Sequence, residues 1–137
     1  MRDTFLCPYL AFDGDCRQAM EFYRECLGGT LVMQTFGEAP VNAPEDQKDR
    51  IMHAMLDHDL FTIMASDTMP GMEFTKGTNV TLSLVGTDSA WLRACFEKLS
   101  AGGKVTMPLE KQFWCDVFGT LTDTFGIHWM VNIGEKK

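Results

Sequence analysis

Positive charge is scarce in this 137-residue chain, which has 12 lysine and arginine residues against 19 aspartate and glutamate residues. The net charge is −7, and no run of basic residues concentrates the positive charge that is present. Nucleic acids and anionic membrane surfaces are bound through clustered lysine and arginine. We therefore expect neither nucleic acid nor a membrane as a partner.

Long apolar runs are also missing. No stretch approaches the length of a transmembrane helix, and residues 1–12 lack the charged-then-apolar form of a signal peptide. The five cysteines include no Cys-x-x-Cys pair, and Cys16, Cys26 and Cys95 fall on the apolar faces of predicted helices. This placement is typical of buried, reduced thiols rather than disulfides. A cytoplasmic location is therefore expected.

The chain does contain an internal repeat. Gly28-Gly29 and Gly102-Gly103 lie 74 residues apart (102 − 28 = 74), and each pair follows an amphipathic stretch and precedes an apolar strand. Apolar residues recur at helical spacing over 16–27 and 91–99, which predicts two helices. A repeat of this length indicates two copies of one supersecondary unit.

The ends of both helices carry recognisable signals. Asp15 followed by Gln18 resembles a capping box, and Gly28 is a plausible C-terminal stop for the first helix. Asp88 or Ser89 is predicted to cap the second helix.

The other apolar segments predict strands, and together with the helices they give the order βαβββ twice. Module one is predicted at 4–67, a linker punctuated by Pro70-Gly71 at 68–77, and module two at 78–134, within one domain over 1–137. An acidic loop without hydrophobic periodicity covers 37–49. The predicted strands cover residues 5–12, 30–36, 50–56, 60–66, 80–84, 104–108, 116–121 and 127–133.

A period of two sorts the strand residues onto two faces. In 61–66, 80–84 and 127–133 the more apolar set is expected beneath a helix. The alternate set mixes small polar residues with methionine and histidine. Such a face suits a ligand cavity better than a core or bulk solvent.

Six sequence blocks accompany the paired βαβββ units, at 8–16, 52–54, 64–67, 113–114, 118–119 and 122–132. The paired units resemble the vicinal oxygen chelate superfamily, and the blocks resemble its PhnB-like branch. The resemblance implies an α+β fold whose two modules form an eight-stranded mixed sheet around a cavity, and it implies a homodimer. Cys115 departs from the pattern, since glycine is expected after Phe113-Trp114.

The resemblance also implies where a metal would bind. Metal-dependent relatives hold a divalent ion with His and Glu side chains on the first and last strands of each module. On this chain the first-strand positions fall near Pro8 and Asn79, and the last-strand positions fall on Met64 and Met130. A shift of one residue would substitute Cys7 for Pro8 and still leave a poor donor set. Hard and borderline cations prefer carboxylate oxygen or imidazole nitrogen, so we expect no metal and no cofactor.

The three histidines match no metal motif. His58 is predicted to be a solvated turn residue, and His53 a hydrogen-bonded cavity or core residue. His128 is predicted on the cavity face, either as lining or in contact with a ligand. If the protein is an enzyme, His53 and His128 are the candidate general acids or bases, because histidine titrates near neutrality. Asp67 and Asp123 are alternatives that more often cap turns.

An aromatic cluster gives the strongest indication of binding. Phe113, Trp114 and Phe118 lie at the entry to a strand, and a bulky ring in a loop often closes a pocket. Trp129 is predicted in the core. Cys115 is either a reactive thiol or, more in keeping with its lack of a neighbouring cation, a buried inert one. The predicted ligand-binding residues are Met64, Asn79, Thr81, Trp114, Phe118 and Met130.

The sequence therefore predicts metal-independent binding of a small, partly apolar organic molecule. A metal-free isomerase or lyase that uses His53 or His128 is the alternative. Metal-dependent glyoxalase- or dioxygenase-like catalysis is disfavoured by the donor set. Methyl transfer has no support, since no glycine-rich nucleotide loop follows a strand.

Overall fold

A computed structural model describes residues 3–39, 42–69 and 71–135. Pro70 of the predicted linker, and residues 40 and 41 of the acidic loop, lie outside the described residues. The chain divides into two compact units, Met1–Thr75 and Lys76–Lys137. Among the described residues, every helix is too short or too polar to cross a membrane.

The first unit contains one helix on a mixed sheet. Its elements are β1 (Tyr9–Phe12), α1 (Cys16–Leu27), β2 (Thr30–Thr35), β3 (Ile51–His58) and β4 (Phe61–Asp67), with a short 3₁₀ helix at Glu45–Gln47. The strand order is β1-β4-β3-β2, in which β1 is parallel to β4 and the other neighbours are antiparallel. α1 buries Cys16, Ala19, Met20, Tyr23, Cys26 and Leu27.

The second unit repeats this arrangement. Its elements are β5 (Leu82–Gly86), α2 (Ser89–Ser100), β6 (Lys104–Lys111), β7 (Val117–Thr122) and β8 (His128–Ile133). The strand order is β5-β8-β7-β6, again with one parallel pair at the first edge. The predicted α+β fold of two βαβββ modules is confirmed, each module having its own four-stranded mixed sheet within the described residues.

Several strands begin or end at residues other than the predicted ones, because hydrogen bonds to the neighbouring strand determine where each strand begins and ends. β1 begins at Tyr9 rather than Phe5, because Pro8 has no N–H to extend the ladder and contributes only its carbonyl, which accepts from Met64 N. β6 continues past Pro108 to Lys111, since it is an edge strand with register shifts that accommodate the proline. β5 begins at Leu82, opposite Trp129, so the predicted start at Val80 is wrong.

The predicted core faces are largely correct. Trp129, Val131 and Ile133 of β8 are buried, as are Ile63 and Ala65 of β4. Val80 departs most, because it precedes the strand and is 69% exposed. Thr62, predicted on the opposite face, is buried. The other predicted core residues are only half-buried: Phe61, Leu82, Leu84 and Ile127.

The start of α1 is held by a distant carboxylate. Asp15 makes no side-chain capping bond, so the predicted capping box is wrong. Instead, Asp67 at the end of β4 accepts from Gly14 N (2.8 Å) and Cys16 N (3.1 Å) with Oδ1, and from Ile51 N (2.8 Å) with Oδ2. The buried Asp67 therefore ties the β1–α1 turn, β3 and β4 together.

An exposed ion pair closes the same junction. The Arg50 guanidinium donates to Asp13 Oδ1 at 2.9 Å and to the Thr68 carbonyl at 2.9 Å. The hydrogen bond from Arg50 lowers the pKa of the Asp13 carboxyl below its ordinary value.

The second unit uses different anchors. Asp88 caps α2 as predicted, because its Oδ1 accepts from Trp91 N at 3.2 Å. The buried Asp123 organises the β7–β8 turn, where its Oδ1 accepts from Phe125 N (2.8 Å) and Ile127 N (3.0 Å). Its Oδ2 accepts from the Trp129 indole N–H at 2.8 Å. Asp123 thus links this turn to the core of the unit.

Candidate functional site

Each sheet has one face beneath its helix and one face directed away from it, which we call the helix-distal face. Residues directly opposite on paired strands project to the same face. In the first unit Met64 is opposite both Tyr9 and Met55, and His53 lies on the same face two residues from Met55. Tyr9 is 54% exposed, and the other three are half-buried.

His53 has a partner that the sequence did not suggest. The Tyr9 hydroxyl lies 3.4 Å from His53 Nδ1, and the ring centroids are 6.0 Å apart. The two residues are 44 positions apart in the chain. The prediction of a hydrogen-bonded His53 is confirmed. Strand periodicity could have identified Tyr9, because Phe12 is in the core and a residue three positions earlier in the same strand projects to the opposite face.

His58, predicted as a solvated turn residue, is instead the last residue of β3, paired with Phe61, and it is half-buried. Its Nδ1 accepts from Leu60 N at 3.1 Å, and its ring stacks on Phe61 with centroids 4.7 Å apart. These contacts give it a structural role in the β3–β4 hairpin.

In the second unit the helix-distal face carries methionine, hydroxyl and amide groups. Met130 is opposite Thr120 and Ser83, and Asn132 is opposite Phe118. The Asn132 amide donates to Asp116 Oδ2 at 2.9 Å, which fixes its orientation at the entry to β7.

Both ring nitrogens of His128 are engaged within this unit. Nε2 lies 3.2 Å from the Gly77 carbonyl, which can only accept, so the proton belongs on Nε2. Nδ1, 2.9 Å from Thr122 Oγ1, then accepts from that hydroxyl. A histidine fixed in this way is suited to orienting neighbouring groups rather than to exchanging a proton.

The predicted aromatic cluster is present. The Trp114 ring meets Phe113 edge-on with centroids 4.9 Å apart, and it meets Phe118 with centroids 5.7 Å apart. Phe118 projects from the helix-distal face of β7, whereas Phe113 is 93% exposed. Trp114, itself 44% exposed, therefore lies between Phe118 on the face of the sheet and the exposed Phe113.

Asn79 and Thr81 do not occupy the places that the sequence suggested. Both are exposed and precede β5. The strand register places Ser83 opposite Met130, as Tyr9 is opposite Met64. The residue equivalent to Pro8 is therefore Leu82, and the assignment of Asn79 to that position is wrong.

The equivalence of Met64 and Met130 follows from the ends of the parallel ladders, because each methionine lies three residues before the partner of the last first-strand residue, Asp67 in one unit and Ile133 in the other. In each unit the last-strand position therefore presents a thioether, and the neighbouring first-strand residues add no carboxylate or imidazole. Such a donor set does not fit the divalent ion of metal-dependent relatives. Within the described chain no three His, Cys, Asp or Glu side chains come together as a metal-binding group. Independence from metal stays a prediction.

Two buried aspartates and two buried cysteines have roles in the fold rather than in chemistry. Asp67 and Asp123 are buried and accept from several N–H groups, as expected of turn-capping residues. Burial raises the pKa of the Cys16 thiol to about 12 and that of Cys95 to about 11, so both are inert near neutrality.

Cys115 is exposed, which contradicts its predicted burial. Its φ of 80° is in the left-handed region that favours glycine, in agreement with the glycine expected there. The turn keeps its bonds from Cys115 N to Gln112 O and from Gln112 N to Asp116 O despite the substitution.

Comparison with known families matches residues 6–131 to the glyoxalase/bleomycin resistance protein/dioxygenase superfamily. Protein YjdN of Escherichia coli strain K12 is 33% identical over 144 residues, covering 96% of this chain and 97% of YjdN. An uncharacterized protein of Mycobacterium bovis is 32% identical over 133 residues, covering 90% of this chain and 79% of that protein.

Solved structures give the same picture. Protein PA1353 from Pseudomonas aeruginosa is 41% identical and superposes with a TM-score of 0.88 over 98% of this chain and all (100%) of that one. A PhnB protein from Bacillus cereus is 20% identical, with a TM-score of 0.75 over 96% of this chain and 100% of its own, and at that identity shares the fold alone.

Proposed function

The chain belongs to the glyoxalase/bleomycin resistance protein/dioxygenase superfamily, and from this premise we propose that it binds a small, partly apolar organic molecule without requiring a divalent metal. The observation that carries the proposal is the contact of Trp114 with Phe118 beside Met130 and Asn132 on the helix-distal face of the second unit. Aromatic and thioether surface with a few oriented polar groups is typical of sites for such ligands.

The donor groups support independence from metal. Met64 and Met130 occupy the last-strand positions of the two units, and a thioether supplies neither the charge nor the hard oxygen that a divalent cation prefers. The homodimer, and the absence of nucleic acid and membrane partners, stay predictions.

A ligand-binding test can use a probe of the proposed chemistry. The dye 8-anilinonaphthalene-1-sulfonate, added to chelator-treated protein, is expected to bind at one site. Trp114→Ala should raise the dissociation constant of the dye about tenfold. Loss of an aromatic contact worth about 1.4 kcal/mol corresponds to that factor. The readout is a fluorescence titration.

Trp91→Ala is the matched control, since half-buried Trp91 lies in the first turn of α2. Its dye affinity should equal that of the unsubstituted protein. Equal affinities for the Trp114 and Trp91 variants would contradict the proposed site. Recovery of tight binding only after addition of Zn²⁺, Ni²⁺ or Mn²⁺ would contradict independence from metal.

A second function is favoured by the contact of His53 with Tyr9. A metal-free isomerase or lyase could use His53 as general acid or base, because its imidazole carries a hydroxyl neighbour at 3.4 Å and is half-buried. His128 is less suited, since both ring nitrogens have partners within its own unit.

Substitution of the two histidines separates the two functions. For any substrate that the protein turns over, His53→Gln should lower kcat at least a hundredfold, the ordinary contribution of a positioned acid or base. His128→Gln should lower kcat much less. Turnover that survives His53→Gln would remove the catalytic role and leave binding as the function.

A further inference from the structure

Two thioethers and an imidazole share the helix-distal face of the first unit. Met55 and Met64 are directly opposite on β3 and β4, and His53 lies two residues from Met55 on the same strand. All three side chains are half-buried. Side chains directly opposite on antiparallel strands have Cβ atoms about 5 Å apart, within reach of one shared ion.

The contact between Tyr9 and His53 shows which way the imidazole leans. β1 and β3 lie on either side of β4, so their backbones are roughly 10 Å apart at the usual strand spacing. The Tyr9 hydroxyl nevertheless lies 3.4 Å from His53 Nδ1. Both side chains must therefore lean across β4, where Met64 is the residue paired with Tyr9.

We propose that His53, Met55 and Met64 form a binding site for a soft monovalent cation, Cu(I) in particular. Thioether sulfur is a polarizable ligand that selects Cu(I) over hard divalent ions, and imidazole suits copper as well. The net charge of −7 favours the approach of a cation. This site differs in metal and in ligands from the divalent centre of metal-dependent relatives.

Tyr9 assigns the roles of the two ring nitrogens. With Nδ1 facing the Tyr9 oxygen, Nε2 is the nitrogen left for the ion. An Nδ1–H that donates to that oxygen fixes the tautomer and the ring orientation of a metal-bound histidine. Tyr9 is thus a positioning residue and not a ligand.

The internal repeat supplies a matched control. Met130 is the equivalent of Met64, but it is opposite Thr120 and Ser83 rather than a second methionine. One thioether beside two hydroxyls is a poor site for a soft ion. Met64→Leu and Met130→Leu therefore make the same chemical change at equivalent positions in different surroundings.

Silver(I) is the first probe, because it shares the softness of Cu(I) and does not change oxidation state during the titration. The background is the full chain with Cys7→Ser and Cys115→Ser, since these two thiols are the accessible ones and would compete for the ion. In protein labelled with ¹³C at the methionine methyls, one equivalent of Ag(I) should shift the signals of Met55 and Met64. The Met130 signal should stay in place.

Affinity measurements complete the test. Met55→Leu, Met64→Leu and His53→Gln should each weaken Ag(I) binding at least tenfold, and Met130→Leu should leave it unchanged. Leucine nearly preserves the volume of methionine, so these variants should fold, as their unfolding transitions would verify. Under anaerobic conditions the protein should also withdraw Cu(I) from bicinchoninate, and Met64→Leu should abolish this transfer.

Three results would overturn the proposal. They are undiminished Ag(I) affinity in the double variant Met55→Leu/Met64→Leu, silver-induced shifts confined to other methionines, and failure to withdraw Cu(I) from bicinchoninate. Binding of the fluorescent dye to the Met55→Leu variant should equal that of the parent. The outcome for the ion is thereby kept separate from the outcome for the organic ligand.

Discussion

Replacing Asp67 by alanine is expected to lower the free energy of unfolding by about 4 kcal/mol or more, because three backbone N–H groups lose their acceptor at once. Gly14 N, Cys16 N and Ile51 N all donate to this buried carboxylate. A buried N–H left without an acceptor costs about 1–3 kcal/mol, which applies to Cys16 and Ile51, whereas the exposed Gly14 contributes less because water can reach its N–H. The measurement is equilibrium unfolding in urea, followed by far-ultraviolet circular dichroism.

Asparagine at the same position gives a graded test. Its amide keeps one acceptor oxygen but places an NH₂ group against one of the donors, so a loss of about 2 kcal/mol is expected. Asp59→Ala is the control, because exposed Asp59 lies in the β3–β4 turn, and its effect should stay within about 0.5 kcal/mol. An unchanged unfolding midpoint in Asp67→Ala would contradict the anchoring role of this carboxylate.

Replacing Asp123 by alanine is expected to lower the free energy of unfolding by about 3 kcal/mol. Its Oδ1 holds the β7–β8 turn through Phe125 N and Ile127 N, and its Oδ2 holds the indole of Trp129 in the core. Loss of the carboxylate removes an acceptor from two backbone groups and from a buried ring N–H at once. The measurement is equilibrium unfolding in urea, followed by tryptophan fluorescence in the background Trp91→Phe/Trp114→Phe, in which Trp129 is the remaining tryptophan.

A double-mutant cycle isolates the indole bond. Trp129→Phe removes the donor and keeps an aromatic ring, and it should show a coupling energy with Asp123→Asn of about 1 kcal/mol or more. The control is Trp91→Phe, whose half-buried ring belongs to α2 and should be additive with Asp123→Asn. Full additivity in the Trp129 cycle would mean that the bond contributes nothing to stability.

The sequence predicts features that depend on neighbouring residues, such as helix bounds and strand alternation. It does not predict features that depend on distant residues, such as strand register. The bounds of α1 and the buried alternation of β8 follow from local periodicity, and both are observed as predicted. The position of Asn79 required the register of β5 on β8, which periodicity cannot supply. The predicted strand at 80–84 begins two residues before the observed one, so Thr81 precedes β5 and Asn79 lies farther from the strand than predicted.

Side-chain contacts between residues far apart in the sequence were also not predicted. Tyr9 and His53 are 44 residues apart, and Gly14 and Asp67 are 53 apart. A capping box at Asp15 was the natural local choice, but the carboxylate that accepts from the N-terminal turn comes from β4. Aspartate directly after a strand carries no mark that distinguishes such an acceptor from an ordinary turn residue.

The two units differ in where the start of their helix is specified, and this bears on the order in which they form as the chain is made. Asp88 precedes α2 directly, so the second helix carries its cap with it. Asp67 follows the last residue of α1 by 40 positions (67 − 27 = 40), and its counterpart in the second unit is Ile133, which cannot accept a hydrogen bond through its side chain. During synthesis α1 is made before α2, but Asp67, which accepts from the start of α1, is made only after β2, β3 and most of β4.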